Sequence, residues 1–458
     1  MADLGRIFKA YDIRGLVPSE LDEARASSIG AAFGRLIERR TEGEVPAKAV
    51  IVGHDMRTSS PAMARSFAEG VLDMGRDVMF IGLAATDQLY FGSGSLAAPA
   101  AMVTASHNPA EYNGFKLCLP GAVALSAANG LDEIQDDIRG AADPRSPATP
   151  GRGALSEADL LPAYVRHLHQ TAPVRGRRLR VVVDAANGMA GLTAPAVLGP
   201  LDIELIPLYF ELDGTFPNHE ANPLVPANLR DLRAAVVAEE ADLGLAFDGD
   251  ADRCFVIDEL GRPVSPSAVT SLIAARELTK HPGASVIHNL ITSRAVPELI
   301  TARGGTPIRT PVGHSLIKAE MARTGAVFGG EHSGHYYFKD FWYADSGMLA
   351  ALQVLATLAE DHRPISQITA AMSPYVASGE INLAVESPAT AMASVERRFA
   401  ERPDLTVDRL DGLSVIGEDW WLNVRASNTE PLLRLNVEAR DEATMVTVRD
   451  STLALLAG

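Results

Sequence analysis

Asp248, Asp250 and Asp252 stand at alternate positions of Asp248 Gly249 Asp250 Ala251 Asp252 Arg253, directly after the apolar run Leu243 to Phe247. Three carboxylates this close call for a cation, and an all-oxygen donor set suits Mg²⁺ or Ca²⁺. A turn that supplies only a few carboxylates leaves coordination positions for phosphate or water, which favours Mg²⁺. Glu259 completes an EF-hand-like spacing. However, Arg253 stands where that loop needs glycine, and Cys254 to Ile257 reads as a strand. The segment is expected to be the turn of a β-hairpin, holding a metal or forming a solvated acidic surface.

Three further segments could carry chemistry. Thr104 Ala105 Ser106 His107 Asn108 Pro109 follows the apolar run Ala100 to Val103 and puts a serine hydroxyl on a loop at a strand end. Pro109 stiffens the loop and biases Asn108 to an extended conformation, so Ser106 is either a poised nucleophile or a turn residue. No Gly-x-Ser-x-Gly elbow is present, which argues against acyl-transfer hydrolysis. Lys116, Lys9 and Arg14 are cations close enough in sequence to accompany it. Gly329 Gly330 Glu331 His332 Ser333 Gly334 His335 brackets a carboxylate, a hydroxyl and two imidazoles with glycines, a composition that lets a small polar ligand approach the backbone. His335 suits general acid or base work, and Glu331 and Ser333 suit sugar hydroxyls, whereas the spacing is poor for zinc. Arg425 Ala426 Ser427 Asn428 Thr429 Glu430 Pro431, with Arg434 beyond, offers a phosphate cradle or an ordinary polar hairpin turn. It lacks the Walker pattern of nucleotide hydrolases.

The elements that must position these segments repeat. Ala49 to Val52, Val181 to Val183 and Ser285 to Ile287 are apolar strand runs that each lead into a small-residue polar turn and then a helical pattern. Runs without strict alternation suit strands buried on both faces of a mixed sheet. Three similar α/β domains are expected, followed by a smaller α+β domain that reads strand, helix (389–402), three short strands ending at Ala439, and helix (442–456). The Pro/Gly-rich stretch 143–153, the turn around 261–266 and residues 372–378 divide the chain into 1–148, 149–261, 262–373 and 374–458.

Composition limits the partners. The 458 residues are 47% hydrophobic, enough for several cores, and the net charge of −17 argues against nucleic acid or an anionic membrane as partner. Any phosphate site must be a local basic pocket. Two distant cysteines, Cys118 and Cys254, fit a reducing compartment, and the segment Met1 to Arg6 lacks an apolar signal core, so a cytoplasmic location is expected. No apolar stretch reaches spanning length.

In this order, and spread over nearly the whole chain, the four motifs resemble the α-D-phosphohexomutase superfamily, most closely its bacterial phosphomannomutase/phosphoglucomutase branch. The resemblance implies four domains around a central cleft. It makes Ser106 a phosphorylated serine that, with Asp248, Asp250 and Asp252, holds Mg²⁺. It makes the Gly330 to His335 loop a reader of sugar hydroxyls and the Arg425 to Thr429 loop, with Ser427 and Asn428, the grip on the phosphate not being transferred. Phosphoserine would donate to a hexose 1-phosphate, and the resulting 1,6-bisphosphate would reorient and return its other phosphate. Arg253, Lys116 and Arg14 would stabilise the transferring group, as phosphoryl transfer requires. His335 and Lys116 would serve proton transfer, with His107 beside the serine, and Tyr11 and His314 would enter the cleft. One departure stands out: Asn289 to Arg294 has no lysine where many relatives carry one, which leaves the role of Arg294 open. Sugar choice is expected to follow His332, with mannose phosphate first, glucose phosphate second and glucosamine phosphate as the alternative. A phosphosugar-binding protein without turnover and a phosphatase are the rivals. Oligomeric state is not legible.

Overall fold

The computed structural model describes residues 4–40, 49–140, 151–400, 402–426 and 432–457. Its first three domains repeat one four-stranded plan. In the first, Val50–His54 lies parallel between Val78–Leu83 and Ala100–Val103, and Tyr112–Leu119 runs antiparallel beside the latter. In the second, Leu179–Asp184 lies parallel between Ile203–Leu208 and Leu243–Phe247, with Cys254–Asp258 antiparallel at the edge. In the third, Ser285–Asn289 lies parallel between Thr306–Thr310 and Phe328–Gly330, with Tyr336–Phe338 antiparallel. The first domain extends its sheet with Ile13–Leu16, Val123–Ala124 and Leu155–Glu157. The three apolar openings are thus three mixed sheets, and their third strands are buried along their whole length.

This repetition sets the location of the chemistry. In every copy the third and fourth strands form a hairpin, and its turn falls at the carboxyl ends of the parallel strands, where α/β sheets bind ligands. That turn is 104–111 in the first domain, 248–253 in the second and 331–335 in the third. The serine, aspartate and imidazole motifs therefore occupy one topological position, used three times. As the hairpin reading required, no helix flanks the aspartates, and Glu259 instead accepts hydrogen bonds from Ser366.

A single apolar core runs through all three domains, from Ile51 and Leu89 through Val181 and Leu245 to Phe328 and Met348. At its centre lies Gly347–Glu360, a helix apolar on nearly every face, as a fully enclosed helix must be. The three domains also meet at one carboxylate. Asp87 Oδ2 accepts from Tyr164 Oη of the second domain at 2.7 Å and from Ser346 Oγ of the third at 2.7 Å. Burial pushes the Asp87 carboxyl up to about 7, against the pull of those two hydroxyls. Its unfolded value is about 3.9, so between these two values the folded chain binds more protons. Stability linked to Asp87 is therefore fully present below about pH 4 and lost as pH rises through about 7. The melting temperature of Asp87→Asn minus that of the wild type is expected to climb from pH 4.5 to 7.5, on the order of 1–4 kcal/mol in stability, and then level off. A difference flat across that range would refute this assignment.

The fourth domain keeps a separate core around Val395, Val415, Leu422, Leu435 and Val437. Its antiparallel sheet runs Val376–Ala377, Leu433–Ala439, Trp420–Ala426, Leu413–Ile416, Thr406–Asp408, with helices Pro388–Ala400 and Glu442–Ala457 packed on it. Among the described residues, four strands lie between those helices rather than three. The additional one, Thr406–Asp408, is only three residues long, and the polar turn that follows hides it in the sequence. This domain rests on the third through a small apolar patch of Leu290, Ile291 and Trp421. Arg294 helps to fix it there. Its backbone N–H donates to Glu438, its guanidinium donates to the carbonyl of Glu418 at 2.7 Å, and it lies over the Tyr375 ring. Arg294 thus joins two domains.

Candidate active site

Ser106 sits at the head of the first hairpin turn with a left-handed backbone, φ +52°, a strained conformation for a residue with a Cβ. Only 2% of it is exposed. Arg57 holds the turn in this shape from below. Its guanidinium donates to the carbonyls of Ser106 (3.0 Å), Asn108 (2.6 Å), Pro109 (2.7 Å) and Tyr112 (3.0 Å), and its Nε lies 3.2 Å from Asp55. The Phe216 ring of the second domain covers it at 5.1 Å. The sequence reading missed Arg57, although the signal was available in an aspartate and an arginine, Asp55 and Arg57, directly after a buried strand.

The second hairpin turn meets this loop face to face. Ser106 Oγ donates to Asp248 Oδ2 at 2.8 Å, and Arg253 reaches both groups, with Nε 2.9 Å from Asp248 Oδ2 and Nη2 3.2 Å from Ser106 Oγ. Gly249 is required for this approach, because a Cβ there would lie 2.4 Å from the Ser106 carbonyl oxygen. His107 Nδ1 accepts from Arg253 and stands 3.2 Å from Ser106 Oγ. Burial, then Arg253 and Arg14, push the His107 imidazole well down, so it is neutral. Arg14 donates to the Ala105 carbonyl and to the Asn108 side chain, which brings a further cation to the serine loop. Lys9 does not join them and donates instead to the exposed Arg6 carbonyl.

Lys116, on the fourth strand of the first domain, bridges the remaining aspartates at 2.7 Å from Asp250 Oδ2 and 2.5 Å from Asp252 Oδ2. Burial opposes its charge, but the two carboxylates outweigh burial and hold the ammonium well above the ordinary lysine value. Asp252 is driven toward its neutral form. Burial and the neighbouring Asp250 raise its carboxyl to about 6. Thr86 Oγ1 also donates to Asp250 Oδ2.

Asp248, Asp250 and Asp252 each turn one oxygen into a common space, these atoms lying within 4.8 Å of one another. Asp250 Oδ1 and Asp252 Oδ1 are buried and accept no hydrogen bond. Buried carboxylate oxygens without donors, on an all-oxygen set, fit a hard divalent cation. Charge leads to the same conclusion. Three carboxylates against Lys116 and Arg253 leave about one negative charge, and a phosphoryl group on Ser106 would add about −1.5 to −2 more.

The third hairpin turn supplies His335, whose Nδ1 lies 2.9 Å from Asp345 Oδ2 and 3.8 Å from Asp252 Oδ1. Burial lowers its imidazole, but Asp252 and Asp345 outweigh burial and hold it above its ordinary value. Glu331 is buried, accepting from Tyr337 Oη at 2.5 Å and from the Gly313 N–H at 3.4 Å. Ser333 is half-buried beside it. Tyr11 reaches this loop from the first domain. A Cβ on Gly313 would fall 2.8 Å from its hydroxyl oxygen, and burial, then Asp411 and Glu331, raise its phenol. His332 is half-buried and turned toward the fourth domain, where burial lowers its imidazole against the pull of Glu380.

From the fourth domain, Arg425 lies 3.1 Å from Glu380, which also takes Arg434 at 3.2 Å. Ser427, Asn428 and Thr429 lie outside the described residues, as does the side chain of His314, whose backbone opens the helix His314–Thr324. Sequence reasoning also missed Glu380, Asp345 and Thr86, which lie remote from the motifs they serve and carry no local pattern.

A serine hydroxyl held against carboxylates, guanidinium groups and an ammonium, at the meeting of repeated α/β hairpins, defines an enzyme that handles phosphoryl groups. Models of the phosphoglucomutase/phosphomannomutase family match all four parts: alpha/beta/alpha domain I over residues 5–144, domain II over 162–261, domain III over 266–375 and the C-terminal domain over 380–455. The chain is 40% identical over 457 residues to a phosphomannomutase of Salmonella typhimurium, covering 98% of each chain. It is 37% identical over 439 residues to a phosphomannomutase/phosphoglucomutase of Pseudomonas aeruginosa, covering 95% of this chain and 92% of the other. Its fold is similar to the crystal structure of a phosphoglucomutase/phosphomannomutase family protein from Burkholderia thailandensis, with a TM-score of 0.88, 34% identity, and coverage of 98% and 96%. The chain belongs to the phosphoglucomutase/phosphomannomutase family. It is a phosphohexomutase, an isomerase, which excludes the reading as a binding protein without turnover. Among the described residues, no helix is long and apolar enough to cross a membrane.

Proposed function

We propose that this enzyme interconverts mannose 6-phosphate and mannose 1-phosphate, with the glucose pair as a second activity, through phosphorylated Ser106 and a hexose 1,6-bisphosphate. The observation that carries the reading is the contact of Ser106 Oγ with Asp248 at 2.8 Å and Arg253 at 3.2 Å, in a buried loop held from below by Arg57. For the sugar, the support is that relatives at 39–40% identity over 98% of each chain include three phosphomannomutases, beside two phosphohexose mutases.

In the forward step the O6–P bond forms as the Ser106 Oγ–P bond breaks. The 6-hydroxyl proton passes to His335, whose Nδ1 is engaged by Asp345, leaving Nε2 for the substrate. As its bond to phosphorus breaks, Ser106 Oγ takes up a proton from water and becomes the hydroxyl that donates to Asp248. After the bisphosphate turns over, Ser106 gives that proton back to water as it attacks the other phosphorus, and His335 returns its own proton to the departing sugar oxygen, so the cycle balances. Arg253 and Arg14 flank the transferring group and stabilise its equatorial oxygens. Lys116, held charged between Asp250 and Asp252, acts through its charge rather than as a base. Asp248, Asp250 and Asp252 would hold Mg²⁺, which when bound offsets the charge of the phosphoserine. Glu331, Ser333, Tyr11 and His314 bind the sugar, and Arg425 with Ser427, Asn428 and Thr429 binds the phosphate not in transfer.

A coupled assay of mannose, glucose and glucosamine 1-phosphates at matched concentration tests the sugar. Mannose is expected to give the highest kcat/KM, with glucose next. Glucosamine well ahead of both would overturn the assignment.

A further inference from the structure

We propose that Asp345 and Lys318 are positioning residues for the reaction, a buried carboxylate and ammonium that fix the His335 ring so that Nε2 faces the reacting sugar hydroxyl. The inference deepens the reading above and rests on His335 carrying the proton.

The three groups form a line. Asp345 Oδ2 is 2.9 Å from His335 Nδ1, and Asp345 Oδ1 is 2.5 Å from Lys318 Nζ. Both Asp345 and Lys318 are buried, and neither belongs to the hairpin turns 104–111, 248–253 and 331–335. Asp345 comes from the segment just before the central helix Gly347–Glu360, and its backbone bridges to Tyr337, on whose ring His335 stacks at 6.2 Å. Lys318 comes from the helix His314–Thr324, one turn beyond His314, with its ammonium 4.1 Å from the Tyr90 ring centroid of the first domain. Carboxylate partners of this kind fix both the tautomer and the orientation of an imidazole.

Lys318 also decides between two uses of the same groups. Asp252, His335 and Asp345 bring ligand atoms within 4.8 Å of one another, which could suggest a second cation site. An ammonium already seated on Asp345 opposes a metal there and offsets the cost of burying the carboxylate. The trio is therefore a support for the imidazole.

The test is a double-mutant cycle on the full enzyme, in the coupled assay with mannose 1-phosphate. Asp345→Asn and Lys318→Met are each expected to lower kcat about tenfold or more, within the about 10²- to 10⁴-fold that a proton carrier contributes, with KM nearly unchanged. Added to His335→Ala, they are expected to lower kcat less than about twofold further, because groups acting as a unit are not additive. Lys318→Arg is expected to restore part of the loss. Equal penalties in the two backgrounds, or a loss confined to KM, would overturn the positioning role. Should Lys318→Met fail to fold, the near-isosteric Asp345→Asn carries the cycle alone. Full activity in His335→Ala by itself would instead overturn the proton assignment, a result distinct from failure of the cycle.

Discussion

Ser106→Ala is expected to lower mutase kcat by on the order of 10⁴-fold or more, the scale of removing a covalent nucleophile while the binding groups remain. The substitution removes one hydroxyl that donates to Asp248, and Asp248 keeps its contacts with the Arg253 side chain and backbone. The fold is therefore expected to survive, with a melting temperature within a few degrees of the wild type. Binding of hexose phosphate should also persist, since the residues assigned to the sugar and to the second phosphate are untouched. A coupled assay and a titration calorimetry experiment together separate these effects. Substantial mutase turnover by the alanine variant would mean that another group carries the phosphoryl.

The second large effect is expected at a residue that touches no substrate. Arg57 is 1% exposed, pairs with the fully buried Asp55 and satisfies four carbonyls of the serine loop. Arg57→Met would leave Asp55 buried without its cation and would remove the guanidinium from all four carbonyls, of which Pro109 alone keeps the Tyr112 N–H among the loop donors described. Breaking one side of such a pair costs about 3–5 kcal/mol. Released from its fork, the loop would also leave the left-handed conformation at Ser106, so kcat is expected to fall at least about 10²-fold, as misplacement of a reacting group by about 1 Å does. Arg57→Lys should rescue little, because one ammonium does not reproduce a planar fork to four carbonyls. Urea denaturation and steady-state kinetics would check both. A variant within about 1 kcal/mol of the wild type, a change typical of an ordinary surface substitution, would show that the loop holds its own shape.

The two predictions illustrate what was legible in the sequence. Ser106, Asp248, Asp250, Asp252 and His335 each sit in a short polar run directly after an apolar strand, and local pattern is enough to find them. The same runs announced the three α/β repeats, because the strands that carry them are buried on both faces. Which groups pair with them was hidden for a different reason. Lys116, a candidate by its place in the sequence, pairs with aspartates more than 130 residues away, Arg57 holds a loop 49 residues away, and Asp345 meets an imidazole that reaches it only across a hairpin. Such pairings are set by how the hairpins face one another, which no window of sequence contains. The short strand Thr406–Asp408 escaped for want of length, and the role of Arg294 was open because a substrate-facing arginine and an interdomain arginine look alike in sequence.

The central claim is that Ser106 carries the phosphoryl group that is given to the sugar in the first transfer and takes one back in the second. The most direct test is intact-mass analysis with peptide mapping after incubation with a hexose 1,6-bisphosphate, followed by a chase with mannose 1-phosphate. One phosphoryl group is expected, located on Ser106, and lost to the sugar at a rate no slower than turnover. A phosphoryl group on another residue, or sustained turnover by an enzyme whose Ser106 is never modified, would contradict the account.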